Sequence, residues 1–191
     1  MAETKNVLLV GVGGQGTILV SKILSNGLIE AGYDVKMSEV HGMAQRGGSV
    51  TTHVRYGKEV FSPILVKGQA DILVSFETME ALRWLEFLKP GGNVVVNDYQ
   101  IPSAPILMGK ADYPEGVLEV LKSKARTATI KAAKIAGDLG NVKAMNVVLF
   151  GALVKAIGLT DIDWEAQITK FVKPKTVEVN LKAFRAGLAA L

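Results

Sequence analysis

Val7-Leu8-Leu9-Val10-Gly11-Val12-Gly13-Gly14-Gln15-Gly16-Thr17 is an apolar run that stops at a glycine-rich turn and opens into a helix-compatible stretch. A buried strand, a sharp turn and a helix in direct succession form the first unit of an α/β sheet. The glycines let the backbone approach a ligand or another chain closely, because no Cβ stands in the way. The first amides of the helix then point outward, unpaired and with partial positive charge. Such a corner can hold a dinucleotide or another phosphate-bearing ligand. It can equally be a packing turn against protein.

The following residues extend the pattern. Residues 6–10 read as a buried strand and 17–31 as a helix, with Ile18, Leu19, Ile23, Leu24 and Leu28 on an inward stripe. Gly32 ends that helix, and 35–40 reads as a second strand. Residues 41–49 are a polar, glycine-rich loop. Residues 50–56 then alternate as a strand, and Gly57-Lys58 fits a two-residue hairpin turn into 59–61. Strand and helix patterns resume with strands at 71–76, 93–97 and 125–129. Helices are expected at 78–88, 114–123, 130–139, 143–157, 163–171 and 176–190. Lys89-Pro90-Gly91-Gly92 stops the first of these helices. The predicted architecture is α/β: a three-layer, mostly parallel Rossmann-like sheet with an inserted β-hairpin and C-terminal helices, residues 1–191 forming one domain.

Composition removes several function classes. The 191 residues contain no cysteine, so a disulfide framework, a cysteine nucleophile and a thiolate-held zinc or iron–sulfur cluster are excluded. Two histidines argue against a histidine metal site, and no metal ligand is expected. The net charge of +4 comes from scattered lysines without interleaved aromatics, so no nucleic-acid partner is expected. The apolar stretch 144–154 is far short of the roughly 18–20 residues of a membrane span. Glu3 precedes a short apolar run with no cleavage-site pattern after it, so no signal peptide and a cytoplasmic location are expected.

Gly11-x-Gly13-x-x-Gly16 has the dinucleotide spacing, and Glu39 stands about 20 positions on, where a ribose-binding acid belongs. Gln15 offers an amide to a ligand oxygen or to another chain, or is an exposed polar residue at a helix start. In the loop 41–49, Arg46 can pair bidentately with a carboxylate or phosphate, Gly47 and Gly48 expose amides beside it, and Ser49 adds a hydroxyl. Both glycine-rich loops fall at the carboxyl edge of the sheet, where ligands bind open α/β sheets, so they are expected to converge. His41 is an acid–base candidate or a hydrogen-bonding loop residue. His53 shares a strand face with Thr51 and Arg55, which reads as exposed or partner-facing. Glu77 and Glu80 suit the start of a helix, and Asn146, in an apolar helix, is expected to pin a loop. No Ser–His–Asp set, paired carboxylates or phosphate-loop lysine is present, so no catalytic residue is assigned.

Together, Gly11-Val12-Gly13-Gly14-Gln15-Gly16, Gly42-Met43-Ala44-Gln45-Arg46-Gly47-Gly48-Ser49-Val50 and His53-Val54-Arg55 resemble the gamma-type domain of 2-oxoacid:ferredoxin oxidoreductases, most of all its indolepyruvate branch. Residues 85–97, with Leu88-Lys89-Pro90-Gly91-Gly92, and residues 146–153 fit as well, so the resemblance covers nearly the whole chain. It implies a subunit of a hetero-oligomer in which an arylpyruvate is oxidatively decarboxylated with coenzyme A to an acyl-CoA and reduced ferredoxin. Thiamine diphosphate and iron–sulfur clusters are then expected on a larger partner subunit. Coenzyme A is the ligand expected at Gly11, Gly13, Gly14, Gln15 and Gly16. His41, Met43, Gln45, Arg46, Gly47, Gly48 and Ser49 are expected to form a partner or active-site loop. A stand-alone nucleotide-dependent oxidoreductase and a purely structural scaffold subunit are the competing readings.

Overall fold

The computed structural model describes residues 4–41 and 47–191. The elements in chain order are β1 (Lys5–Val12), α1 (Thr17–Glu30), β2 (Asp34–His41), β3 (Ser49–Gly57), β4 (Ala70–Ser75), α2 (Thr78–Arg83), β5 (Leu88–Asn97), α3 (Ala104–Leu107), α4 (Val117–Lys124), β6 (Arg126–Ile130), α5 (Ala132–Asp138), α6 (Met145–Ile157), α7 (Trp164–Phe171) and α8 (Val177–Ala189). Among the described residues six strands form one sheet in the order β2-β3-β1-β4-β5-β6. β1, β4, β5 and β6 run parallel, and β3 is antiparallel to both β1 and β2.

The near-continuous apolar strands follow from burial on both faces. On one face Val7, Leu9, Val54, Ile72 and Val74 pack under α1, α5, α6, α7 and α8. On the other, Leu8, Val10, Leu73, Val94 and Val96 pack against Ala81 of α2 and Val117 and Leu121 of α4. This is the expected three-layer α/β arrangement.

The inserted hairpin sits elsewhere than expected. Its two strands are β2 and β3, consecutive in the chain and paired antiparallel, and 59–61 is not a strand. Both edges of β3 are already occupied by β1 and β2, so a segment following Gly57 has no free ladder to join. Residues 58–69 instead cross the sheet face as a strap tied by side chains. Asp34 accepts from the Val60 amide at 2.8 Å, Arg55 donates to the Ser62 carbonyl at 2.9 Å, and His53 Nδ1 accepts from the Leu65 amide at 2.9 Å. The expected exposed face of His53, Thr51 and Arg55 is therefore largely covered: Thr51 and His53 are buried and Arg55 half-buried.

The expected helix over 78–88 is also shorter. α2 ends at Arg83, a 3-10 turn spans Leu85–Phe87, and Leu88 already begins β5. Residues 89–92 form an irregular start to β5, since Ala70 pairs with Leu88 while Ile72 pairs with Asn93.

Candidate functional site

β1 ends against two neighbours, and that register builds the site. Val12 is opposite Ser49 of β3, and Val10 is opposite Ser75 of β4. The two glycine-rich loops therefore meet, as their shared sheet edge predicts. The Gly13 amide donates to the Gly48 carbonyl at 2.8 Å, and the Gly47 amide donates to the Gly13 carbonyl at 3.4 Å. Met43, Gln45 and Arg46 lie outside the described residues. His41 ends β2, exposed, and Ser49 begins β3, also exposed.

Gln15 does not face solvent. It is buried, and its Oε1 accepts from the Val12 amide at 2.8 Å while its Nε2 donates to the Phe76 carbonyl at 2.7 Å. Its amide is thus spent on fastening the turn to the end of β4. Gly11 is needed for that closure, because a Cβ there would stand 2.9 Å from both Gln15 Oε1 and Phe76 Cβ. Gly14 and Gly16 have φ of +102° and +82°, a region that L side chains rarely adopt.

Gly16 caps α1 without any side-chain acceptor. Among the described residues the amides of Gly14, Gly16, Thr17 and Ile18 have no hydrogen-bond partner. A cluster of outward donors at a helix start favours an anion. Asn146, at the start of α6, reaches this corner: its Nδ2 donates to the Gly16 carbonyl at 3.4 Å, and its Oδ1 accepts from the Val147 amide. The expected loop-pinning amide is therefore found, and the loop is the glycine corner itself.

Two buried carboxylates, Glu77 and Glu80, and the half-buried Tyr113 brace the same edge. Glu77 is the N-cap of α2, accepting from the Glu80 amide at 2.9 Å and from the Ile101 amide at 3.2 Å. Tyr113 donates its hydroxyl to Glu77 and accepts from the Met79 amide, and burial, with Glu77 beside it, raises the Tyr113 pKa. Glu80 accepts from the Ser49 hydroxyl and from Arg83, so it holds the end of the second loop. The helix-start role expected of Glu77 and Glu80 is what the geometry shows. Sequence reading missed Asn97, whose Nδ2 donates to the Phe76 carbonyl and whose Oδ1 accepts from the Ala132 amide. The signal available was an amide closing the apolar run Val94-Val95-Val96 at the carboxyl edge.

Glu39 does not occupy a ribose-binding position. It lies on β2, which β3 separates from β1, and its carboxylate accepts from Ser21 Oγ at 2.9 Å. With strands about 4.8 Å apart, β2 stands roughly 10 Å from β1 instead of next to it. The dinucleotide spacing of the glycines is thus met without its partner acid in place. Among the described residues no three His, Cys, Asp or Glu side chains converge as metal ligands, and no helix is long and apolar enough to cross a membrane.

Burial pushes His53 below the ordinary histidine value of 6.5. Neutral, it accepts from the Leu65 amide; its cation has no acceptor nitrogen. The folded value lies below the unfolded one, so the unfolded chain takes up the proton more readily. The His53 contribution is intact above about pH 6.5 and is lost as pH falls toward the folded value. Amide exchange in the strap 58–69, corrected for its intrinsic pH dependence, is expected to accelerate from about pH 7 to about pH 5. Unchanged protection of Leu65 over that range would contradict this role.

Comparison with known proteins gives this geometry a family. A family model described as pyruvate ferredoxin/flavodoxin oxidoreductase matches residues 6–190. The indolepyruvate oxidoreductase subunit IorB of Thermococcus kodakarensis is 39% identical over 97% of this chain and 95% of its own length. The gamma subunit of a keto/oxoacid ferredoxin oxidoreductase from Geobacter sulfurreducens shares the fold with a TM-score of 0.72, at 24% identity and 97% coverage of both chains. A 2-oxoglutarate:ferredoxin oxidoreductase from Magnetococcus marinus, solved with 2-oxoglutarate, coenzyme A and succinyl-CoA bound, shares it with a TM-score of 0.73 at 19% identity. There 98% of this chain aligns with 31% of the longer one. The chain belongs to the pyruvate ferredoxin/flavodoxin oxidoreductase family.

Proposed function

We propose that this chain is the cluster-free, gamma-type subunit of a 2-oxoacid:ferredoxin oxidoreductase that uses indolepyruvate or a related arylpyruvate. The observation that carries the reading is its likeness, over nearly its whole length, to a relative named indolepyruvate oxidoreductase subunit. The lack of cysteine agrees with iron–sulfur clusters held by another chain. On this reading the larger subunit also holds thiamine diphosphate, which supplies the decarboxylation chemistry when bound. The product is an acyl-CoA, with electrons passing through the clusters to ferredoxin.

This chain's own contribution is a preorganised corner. The free amides of Gly14, Gly16, Thr17 and Ile18 suit a phosphate of coenzyme A, and Asn146 and Gln15 hold those amides in place. The Magnetococcus protein with coenzyme A bound supports that choice of ligand over a nicotinamide dinucleotide. The displaced Glu39 weighs the same way. Gly13, hydrogen-bonded to Gly48, links the corner to the loop that carries Met43, Gln45 and Arg46, which would face the partner near its active site.

Exposed apolar side chains support a partnered state: Phe61 is 87% exposed, Val66 57% and Val40 53%. Co-expression with the larger thiamine- and cluster-bearing subunit is expected to give one co-eluting complex; separate elution would contradict the reading. Within that complex, Arg46→Ala is expected to lower assembly or turnover while the isolated chain melts as wild type does. Unchanged assembly together with unchanged turnover would remove Arg46 from the site.

A further inference from the structure

The edge opposite the glycine corner has its own chemistry. The irregular start of β5 and the junction between α4 and β6 enclose an open cleft of about 700 Å³ at the amino edge of the sheet. Lys89, Lys122, Lys124 and Arg126 line it, and no carboxylate does among the described residues. Lys89 is ion-paired with Asp71, which lies beyond the cleft and also accepts from the Asn6 amide. Among the described residues Lys122, Lys124 and Arg126 have no acidic partner. Lys122 and Lys124 sit in the last turn of α4, where cations offset the helix dipole. That local role does not explain Arg126 and Lys89, which come from two strands.

The character of the cleft narrows its occupant. Lys122, Lys124 and Arg126 are exposed, and the apolar lining is Leu85, Leu88, Pro90 and Ala125. A small anion held tightly would need donors that are themselves buried. Single-stranded nucleic acid would find no aromatic ring to stack on. A protein face carrying several carboxylates matches a spread of exposed cations on α4 and β6, beside the half-buried Lys89 of β5. We propose that this amino edge docks an acidic face of the larger oxidoreductase subunit, separately from the glycine corner. This rests on the proposed function above. The cations then steer assembly and set its register, while the corner edge serves the ligand.

The test uses the complex of the full chain with its co-expressed larger subunit. Lys122→Glu, Lys124→Glu and Arg126→Glu together are expected to weaken assembly at least about tenfold at about 0.1 M salt, and wild type and variant should converge near 1 M. Gln at the same three positions should give an intermediate loss with a flatter salt dependence, and thermal melting checks that both variants fold. Lys173→Glu with Lys175→Glu, equally exposed but remote from the cleft, should assemble as wild type does. Equal assembly of the cleft variant, or an equal loss in the remote control, overturns the inference while leaving the proposed function standing. Loss of duplex DNA binding in the cleft variant with assembly unchanged also overturns it, in favour of a nucleic-acid site. A wild-type chain that does not assemble overturns both.

Discussion

Gly187→Ala is expected to lower the melting temperature by about 5–10 °C. In α8, a methyl built on Gly187 would overlap the Val148 carbonyl oxygen of α6, and its reach to the Gly151 Cα is 3.1 Å. Gly151 faces the reverse way, and a methyl there would overlap the Phe184 carbonyl oxygen. The two helices thus touch backbone to backbone, so neither methyl can be accommodated by turning a side chain aside. Overpacking of this kind costs about 1–3 kcal/mol and at backbone contacts lies at or above the upper end. The gain of about 1 kcal/mol in helix propensity from replacing glycine opposes it only in part. For a chain of this size each kcal/mol is worth roughly 2–4 °C. Gly137→Ala in α5 is the control, because a methyl there would meet only the Val142 side chain at 3.6 Å. Its melting temperature should be unchanged or slightly raised. Equal melting of the two variants would mean that α6 and α8 are not in close contact.

Gly16→Ala is expected to weaken coenzyme A binding to the assembled enzyme by about tenfold or more while the chain stays folded. Two costs combine at one residue. The φ of +82° is strained for any residue with a Cβ, at roughly 1–2 kcal/mol. The added methyl would also overlap Asn146 Nδ2, the group that donates to the Gly16 carbonyl. Either the turn re-forms or Asn146 leaves, and both move the amides of Thr17 and Ile18. A displacement worth about 1.4 kcal/mol is a tenfold loss in affinity. Gly140→Ala, also at positive φ but with nothing near its Cβ, separates strain in general from damage to this corner. Calorimetry on the complex reads the affinity directly. A Gly16→Ala complex that binds coenzyme A as wild type does would move the ligand away from this corner.

The two effects are linked through α6. That helix presents Asn146 to the glycine corner at its start and packs on α8 through Gly151. The C-terminal helices are therefore part of what holds the site, beyond covering one face of the sheet.

The corner's own strand, turn and helix start were legible because they are contiguous. The apolar strand, the glycines and the helix start lie within residues 7–17, and local geometry follows from local residue types. The convergence of the two loops was legible too, from the rule that both fall on the carboxyl edge. What could not be read was pairing between distant segments. Spacing alone does not show that β3 inserts between β1 and β2, yet that insertion displaces Glu39 and deprives 59–61 of a strand partner. Gln15 failed for a related reason. Its position in the turn is local, but the Phe76 carbonyl that it reaches is 61 residues away. The helix expected over 78–88 was overextended because Leu85 and Leu88 continue the apolar spacing. In the fold Leu88 begins β5 instead, opposite Ala70.

The most direct measurement is reduction of a low-potential dye by the purified two-subunit complex. The account predicts turnover that requires both an arylpyruvate and coenzyme A, that is absent from either subunit alone, and that falls with Gly16→Ala. Turnover by this chain alone with a nicotinamide dinucleotide would contradict it, as would a stable complex whose dye reduction ignores coenzyme A.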